Sequence, residues 1–303
     1  MAPRYCACVS EPALLPAAGS TIGGYLLEAQ LGSGAMGAVF RARREGGPRV
    51  AIKVLHGEAL TRKDLRSRFE REAAALAALT HPNIIGVIEF GAFDGTLCLV
   101  MELLDGESLE ELITREHLTP ERAVEIVDQM LAGLAYAHAH GILHRDLKPA
   151  NVFLARQKDG STCVKLLDFG LAKFIDHETW GPRTLLTAKG AVMGTPAYMA
   201  PEQIFGSAVD ARTDVYGAGV VLFELLTGTW PYVAEDTTGI FRAHAVEPIP
   251  ALATARPELI VRPELDAVIQ RALAKKPADR FADGREMRVA LSRVPRPVAR
   301  VAG

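Results

Sequence analysis

The chain has 303 residues, 49% hydrophobic and 23% charged, with a net charge of −2. That balance excludes a disordered or collagen-like chain, and a length of this order buries roughly 75% of the surface that the unfolded chain exposes. Lys and Arg are dispersed, so the electrostatic footprint of a nucleic-acid-binding protein is missing, and none is expected as a partner. Residues 1–24, rich in Ala, Pro and Gly, read as a flexible leader. From Tyr25 to Lys53, short apolar runs alternate with Gly-rich turns, which predicts strands joined by hairpins. Helical spacing runs from Arg62 to Leu79. A strand pair is predicted at Ile84–Phe90 and Leu97–Leu103, around the turn Phe93-Asp94-Gly95.

Beyond Asp105-Gly106 the pattern becomes helical. Thr119-Pro120-Glu121 combines an N-cap, a proline at the first helical position and an acid in the first turn. Ala123, Ile126, Val127, Met130, Leu131 and Leu134 then keep helical spacing as far as Gly141, a terminator. Asp214–Leu226 is apolar almost all round, as a central buried helix would be. Pro263 opens a further helix with Leu265, Val268, Ile269, Ala272 and Leu273 on one face, and residues 294–303 read as a frayed tail. The predicted division is a β-rich part over about 25–103, a linker near Met101–Gly106 and a larger helical part over about 107–293.

Four cysteines, Cys6, Cys8, Cys98 and Cys163, make neither a disulfide framework nor a complete zinc site. They read as free thiols in a reducing, cytoplasmic compartment. Glu11 and Pro16 interrupt the N-terminal apolar run, against a secretory signal. The run Ala218–Leu226 is too short to cross a bilayer and contains Glu224.

Two stretches carry chemistry. Gly32-Ser33-Gly34-Ala35-Met36-Gly37-Ala38-Val39 has the form GxGxxGxV, in which glycines let backbone N–H groups approach phosphate oxygens. In dinucleotide-binding folds such a run opens a helix and expects an acid about 20 residues on. Here the chain continues as strand and supplies Lys53 instead. On the 62–79 helix the apolar stripe Leu65, Phe69, Leu76, Leu79 leaves a gap that Glu72 fills, while Glu70 projects to the flank. A Glu in such a stripe needs a cation, and Lys53 is the candidate. The second stretch is His144-Arg145-Asp146-Leu147-Lys148-Pro149-Ala150-Asn151, followed by Asp168-Phe169-Gly170. It gathers a proton acceptor, a cation and two oxygen ligands, the set that phosphoryl transfer requires. His138, His140 and His144 invite a metal reading, but Mg²⁺ prefers oxygen and no ligand set suits zinc; His144 is expected to pack beneath the loop.

In this order and spacing the motifs resemble those of protein kinases over about residues 25–290. Lys148, Gly194-Thr195-Pro196-Ala197-Tyr198 and Lys-Pro-Ala-Asn resemble the bacterial, eukaryotic-like serine/threonine branch. The resemblance implies an α+β, bilobal fold, with ATP and Mg²⁺ as cofactors and Ser/Thr hydroxyls of proteins as acceptors. A homodimer in which one copy modifies the other would fit it. It implies catalytic roles for Asp146, Lys148, Lys53 and Glu72, and nucleotide contacts from Leu31, Gly32, Ser33, Gly34, Ala35, Met36, Gly37, Ala38, Val39 and Lys53. Mg²⁺ would be held by Asn151 and Asp168. Asp214 would brace the catalytic loop, and Arg280 would pair with Glu202 of Ala200-Pro201-Glu202. The tip Ala35-Met36 departs from the family's usual small or aromatic residues. A pseudokinase scaffold is disfavoured by the intact Lys53, Asp146, Asn151 and Asp168, and a small-molecule phosphotransferase by the long segment from Asp168 to Glu202. Between Gly170 and Ala200, Thr179, Thr184, Thr187 and Thr195 offer hydroxyls; Thr187 first and Thr184 second are the expected sites of an activating phosphate for Arg145, whereas Thr195 is expected to hydrogen-bond near Asp146 and Lys148.

Overall fold

The computed structural model describes residues 16–34, 37–55, 63–169, 196–260 and 262–295. The chain divides into two compact units, one of Met1–Ala77 with Gly86–Leu103, the other of Ala78–Ile85 with Leu104–Gly303.

The first unit contains β1 (Thr21–Ile22), β2 (Tyr25–Gly34), β3 (Gly37–Arg43), β4 (Arg49–Leu55), α1 (Lys63–Ala77), β5 (Val87–Phe93) and β6 (Thr96–Glu102). Its strands form one antiparallel sheet in the order β1-β2-β3-β4-β6-β5. Side chains alternate across a strand, so Ala38, Phe40, Ala42, Ile52, Val54, Cys98 and Val100 share one face and build the core. Val39, Lys53 and Leu99, aligned across β3, β4 and β6, therefore lie on the other face. In α1, Phe69, Ala73 and Leu76 are buried at helical spacing. Asp94 and Gly95 both have positive φ, 50° and 80°, as a two-residue hairpin turn with right-handed twist requires.

Two expectations need correcting. Residues 1–24 are not a leader throughout, because Thr21–Ile22 pairs with Tyr25 and Leu26 and Ile22 is buried. The strand predicted from Ile84 begins at Val87. Ile84 and Ile85 serve the second unit instead: Ile85 N donates to Leu166 O (3.0 Å), and Leu166 N donates to Asn83 O (2.9 Å). Apolar character alone does not say which surface will bury a residue.

The second unit opens with β7 (Gly106–Ser108), which forms a three-stranded antiparallel sheet with β8 (Val152–Arg156) and β9 (Thr162–Leu166). Its helices are α2 (Leu109–Arg115), α3 (Pro120–Ala139), α4 (Pro201–Ile204), α5 (Ala211–Thr227), α6 (Thr237–Val246), α7 (Leu252–Ala255), α8 (Pro263–Ala272) and α9 (Gly284–Ser292). The predicted start of α3 is borne out: Thr119 Oγ1 accepts from Arg122 N at 3.3 Å with Pro120 in the first turn. The predicted α3 stripe is fully buried, and α5 is buried on nearly every side. Gly217 of α5 lets the chain at Leu147 come close, since a Cβ there would stand 3.1 Å from the Leu147 Cβ. Among the described residues no helix is long and apolar enough to cross a membrane.

A buried histidine on α6 makes the second unit acid-sensitive. Burial first, then the nearby Lys275 cation, pushes the His244 imidazole down from 6.5 to about 4. The unfolded chain binds this proton more tightly between those values, so the histidine's contribution is complete above pH 6.5 and is lost as pH falls toward 4. A shift of that size corresponds to about 3 kcal/mol. Denaturant titrations between pH 7 and 4.5 should therefore show a shallower acid loss for His244→Gln than for the parent. Identical slopes would refute the assignment.

Candidate active site

The catalytic-loop residues owe their positions to one buried carboxylate. Asp214 lies in the first turn of α5 and is 1% exposed. Its Oδ2 accepts from His144 N (2.7 Å) and its Oδ1 from Arg145 N (2.7 Å). His138, in the last turn of α3, completes the set, with Nε2 2.9 Å from Asp214 Oδ2. The other ring nitrogen of His138, Nδ1, accepts from Gly284 N at 3.2 Å, which places the proton on Nε2 as a donor to Asp214. Burial would raise the Asp214 carboxyl, but the His138 hydrogen bond and the groups at His144 outweigh it and hold the carboxyl below its ordinary value.

Above this brace the loop takes an uncommon path. Arg145 has φ 62° and Asp168 φ 51°, left-handed conformations that cost a non-glycine residue about 1–3 kcal/mol and cluster at functional sites. His144 is fully buried, with Nε2 2.8 Å from Leu167 O and its ring 4.7 Å from that of Phe169, so it packs beneath the loop as expected. Burial lowers its pKa and favours the neutral ring. His138 and His144 are thus committed to hydrogen bonds, as is His140, whose Nδ1 lies 2.8 Å from Tyr136 O.

Asp146 stands where two donors converge. Lys148 Nζ is 3.0 Å from its Oδ2, and Asn151 Nδ2 donates both to that oxygen (2.9 Å) and to Asp146 O (2.7 Å). The carboxylate is thus oriented by two donors and about one-quarter exposed. Asn151 is itself buried at the 3₁₀ turn Pro149–Asn151, and its backbone carbonyl accepts from Leu167 N at 2.9 Å, which ties it to the residue before Asp168. Asn151 directs its amide protons to Asp146, so its Oδ1 remains an acceptor. An Asn oxygen with an Asp carboxylate is a hard donor set suited to Mg²⁺, which takes few protein ligands and completes its shell with water and phosphate. Among the described residues no three His, Cys, Asp or Glu gather into a metal-holding group.

In the first unit, β2 and β3 pair as far as Gly34 and Gly37, with Gly32 opposite Val39 and Ser33 opposite Ala38. Leu31, Gly32, Ser33 and Gly34 are exposed, and nothing lies within 4 Å of where a Cβ on Gly32 or Gly34 would be. Gly37 has φ 150°, and a Cβ there would meet Val54 O at 1.9 Å, so only glycine fits. The tip, Ala35 and Met36, lies outside the described residues. Lys53 is half-buried on β4. Glu70 pairs with Arg66 at 3.0 Å on the solvent side of α1, the flank position expected of it, while Glu72 is half-buried. Lys53 takes part in polar interactions there.

Glu202 and Arg280, 78 residues apart, are both buried and form a two-pronged pair, Nη1–Oε1 2.7 Å and Nη2–Oε2 2.8 Å. Thr213 Oγ1 adds a 2.7 Å hydrogen bond to Glu202. Gly170, Thr179, Thr184, Thr187, Gly194 and Thr195 lie outside the described residues. The sequence does not show the structural role of His138, or the contacts of Tyr198, whose OH donates to Glu224 (2.7 Å) and accepts from Trp230 Nε1 (3.0 Å). No local pattern marks these contacts, because their partners are remote in the chain.

Comparison with known proteins agrees with this geometry. The family model described as the protein kinase domain matches residues 25–289. The chain is 42% identical to the serine/threonine-protein kinase pkn3 of Myxococcus xanthus over 273 residues, covering 89% of this chain and 50% of that protein. It is 40% identical to the serine/threonine-protein kinase PknJ of Mycobacterium tuberculosis over 272 residues, covering 89% of this chain and 45% of the relative. The chain thus spans about half the length of the curated relatives it matches. Among solved structures, the Mycobacterium tuberculosis PknI kinase domain is similar at a TM-score of 0.70 and 33% identity, covering 91% of this chain and 98% of that one.

Proposed function

The chain belongs to the protein kinase domain family, and from that membership we propose that it transfers the γ-phosphoryl group of ATP to Ser/Thr hydroxyls of proteins, a second copy of itself included. The observation that carries this reading is the Asp146 carboxylate, held by Lys148 Nζ and Asn151 Nδ2 on a loop that Asp214 braces from beneath. Such a carboxylate accepts a hydrogen bond from an incoming hydroxyl, aligns it, and takes its proton as the oxygen bonds to phosphorus. The Lys148 ammonium offsets negative charge gathering beside it. Asn151 and Asp168 are the residues that would hold Mg²⁺, which when bound neutralises phosphate charge and fixes the phosphates for in-line transfer.

In the first unit, Leu31, the run Gly32–Val39 and Lys53 are the proposed nucleotide contacts, the lysine engaging the α and β phosphates. Glu72 is the proposed partner of Lys53 in the active enzyme. Glu72→Gln should accordingly lower turnover more than Glu70→Gln, whose carboxylate is spent on Arg66. A reversed ranking in initial-rate assays would reject the Glu72 assignment. A cytoplasmic location belongs to the same proposal, and the free thiols Cys98 and Cys163 are in keeping with it. The deciding experiment incubates the purified protein with labelled ATP, Mg²⁺ and a generic basic protein, with mass spectrometry of the protein before and after. Label on Ser or Thr supports the reading. ATP binding without transfer would indicate a scaffold, and label only on small molecules would indicate a different phosphotransferase.

A further inference from the structure

The peptide joining Arg145 to Asp146 is held at its carbonyl by a residue remote in sequence. Gln203, in the short helix α4, donates from Nε2 to Arg145 O at 2.8 Å. The same side chain accepts from Ala200 N through Oε1 at 3.1 Å. Both ends of the amide are thus used, which fixes its orientation: the oxygen faces the helix start and the NH₂ faces the loop. Its base is rigid, because the preceding residue, Glu202, is locked by two bonds from Arg280 and one from Thr213.

Arg145 sits at φ 62°, a conformation that persists in a non-glycine residue only where its surroundings impose it. Asp214 imposes it from the N–H side, through the 2.7 Å bond to Arg145 N. On the carbonyl side the bond from Gln203 does so. The N–H of that same peptide, Asp146 N, donates to His144 Nδ1 at a longer 3.4 Å. Turning this peptide would swing Asp146 directly.

We propose that Gln203 is a positioning residue for Asp146, acting through the Arg145 carbonyl and linking the segment that ends at Ala200 to the catalytic loop. The inference rests on the reading of Asp146 as the group that receives the substrate hydroxyl. Gln203→Glu keeps the size and the acceptor for Ala200 N but has no donor for the Arg145 carbonyl. Gln203→Leu removes both bonds.

The test measures kcat, KM for ATP and thermal midpoint for Gln203→Glu and Gln203→Leu, each in the parent and in an Asp146→Asn background. The expected result is a kcat lower by about 10- to 100-fold, the scale of a misplacement near 1 Å. KM for ATP and the thermal midpoint of Gln203→Glu should stay close to the parent values. In the Asp146→Asn background neither Gln203 variant should lower kcat further. A merely structural residue would subtract the same factor in both backgrounds, and that additivity would overturn the proposal, as would a parent-like kcat for Gln203→Glu. If Gln203→Leu does not fold, Gln203→Glu alone decides. Parent-like turnover of Asp146→Asn by itself would instead overturn the reading of Asp146, so the two failures are distinguishable.

Discussion

Asp146→Asn is expected to lower phosphoryl transfer by about 10² to 10⁴, the usual contribution of a positioned general base. The substitution preserves shape, and the cradle of Lys148 and Asn151 can still hold the side chain. It removes the charge that accepts the hydroxyl proton and sets an amide where Lys148 expects an anion. Nucleotide binding, which draws on other residues, should stay within a few-fold of the parent. Single-turnover transfer measured beside an ATP-binding titration separates the two quantities. Turnover equal to the parent's would end the assignment, and a parallel loss of ATP affinity would mean that the loop had been disturbed rather than its chemistry removed. Asp168→Ala provides the contrast: deleting a proposed metal ligand should change the Mg²⁺ dependence, which Asp146→Asn should leave alone.

Arg280→Met is expected to cost about 3–5 kcal/mol of folding stability, the range seen when one member of a buried ion pair is removed. Glu202 and Arg280 are 6% and 3% exposed, so water cannot replace the missing guanidinium. The arginine also donates to the carbonyls of Ala274, Arg212 and Lys275 and lies 4.7 Å over the Tyr216 ring, and all of these lose a partner together. Burial pushes the Glu202 carboxyl up, yet the hydrogen bonds and charge of Arg280 bring it below its ordinary value, so the single variant should bind a proton there instead. Adding Glu202→Leu should recover part of the loss, because the stranded charge goes with it. Urea titrations of the two variants decide the matter: a loss under 1 kcal/mol for Arg280→Met, or a double variant no more stable than Arg280→Met, would contradict this account.

Much of the site is legible in the chain because its signals are local. Asp146, Lys148, Asn151 and Asp168 fall within one short span, so their types and spacing can be read directly from the chain. The α3 start follows from Thr119 and Pro120, one capping the first turn and the other fitting it without an N–H. Glu70 was assigned to the flank of α1 from spacing alone, and its bond to Arg66 four residues away is of the same local kind. Glycine placement at Gly37 is legible as a motif, although the reason, the Val54 carbonyl 1.9 Å from where a Cβ would stand, is a cross-strand fact.

What the sequence by itself determined is therefore the kind of elements, their order and the chemical groups available to the site, since caps, turns and periodicity act over a few residues. Tertiary structure alone decided that Thr21–Ile22 joins the sheet, that Ile84 and Ile85 serve the second unit, and that His138 supports Asp214 under the guidance of Gly284, 146 residues away. It alone brought Gln203 to the Arg145 carbonyl across 58 residues. The physical reason is that a hydrogen bond between distant residues has no sequence signature of its own. It exists only because packed cores bring the two backbones to the right separation, and a donor such as an amide side chain reads alike whether it faces water or a strained peptide.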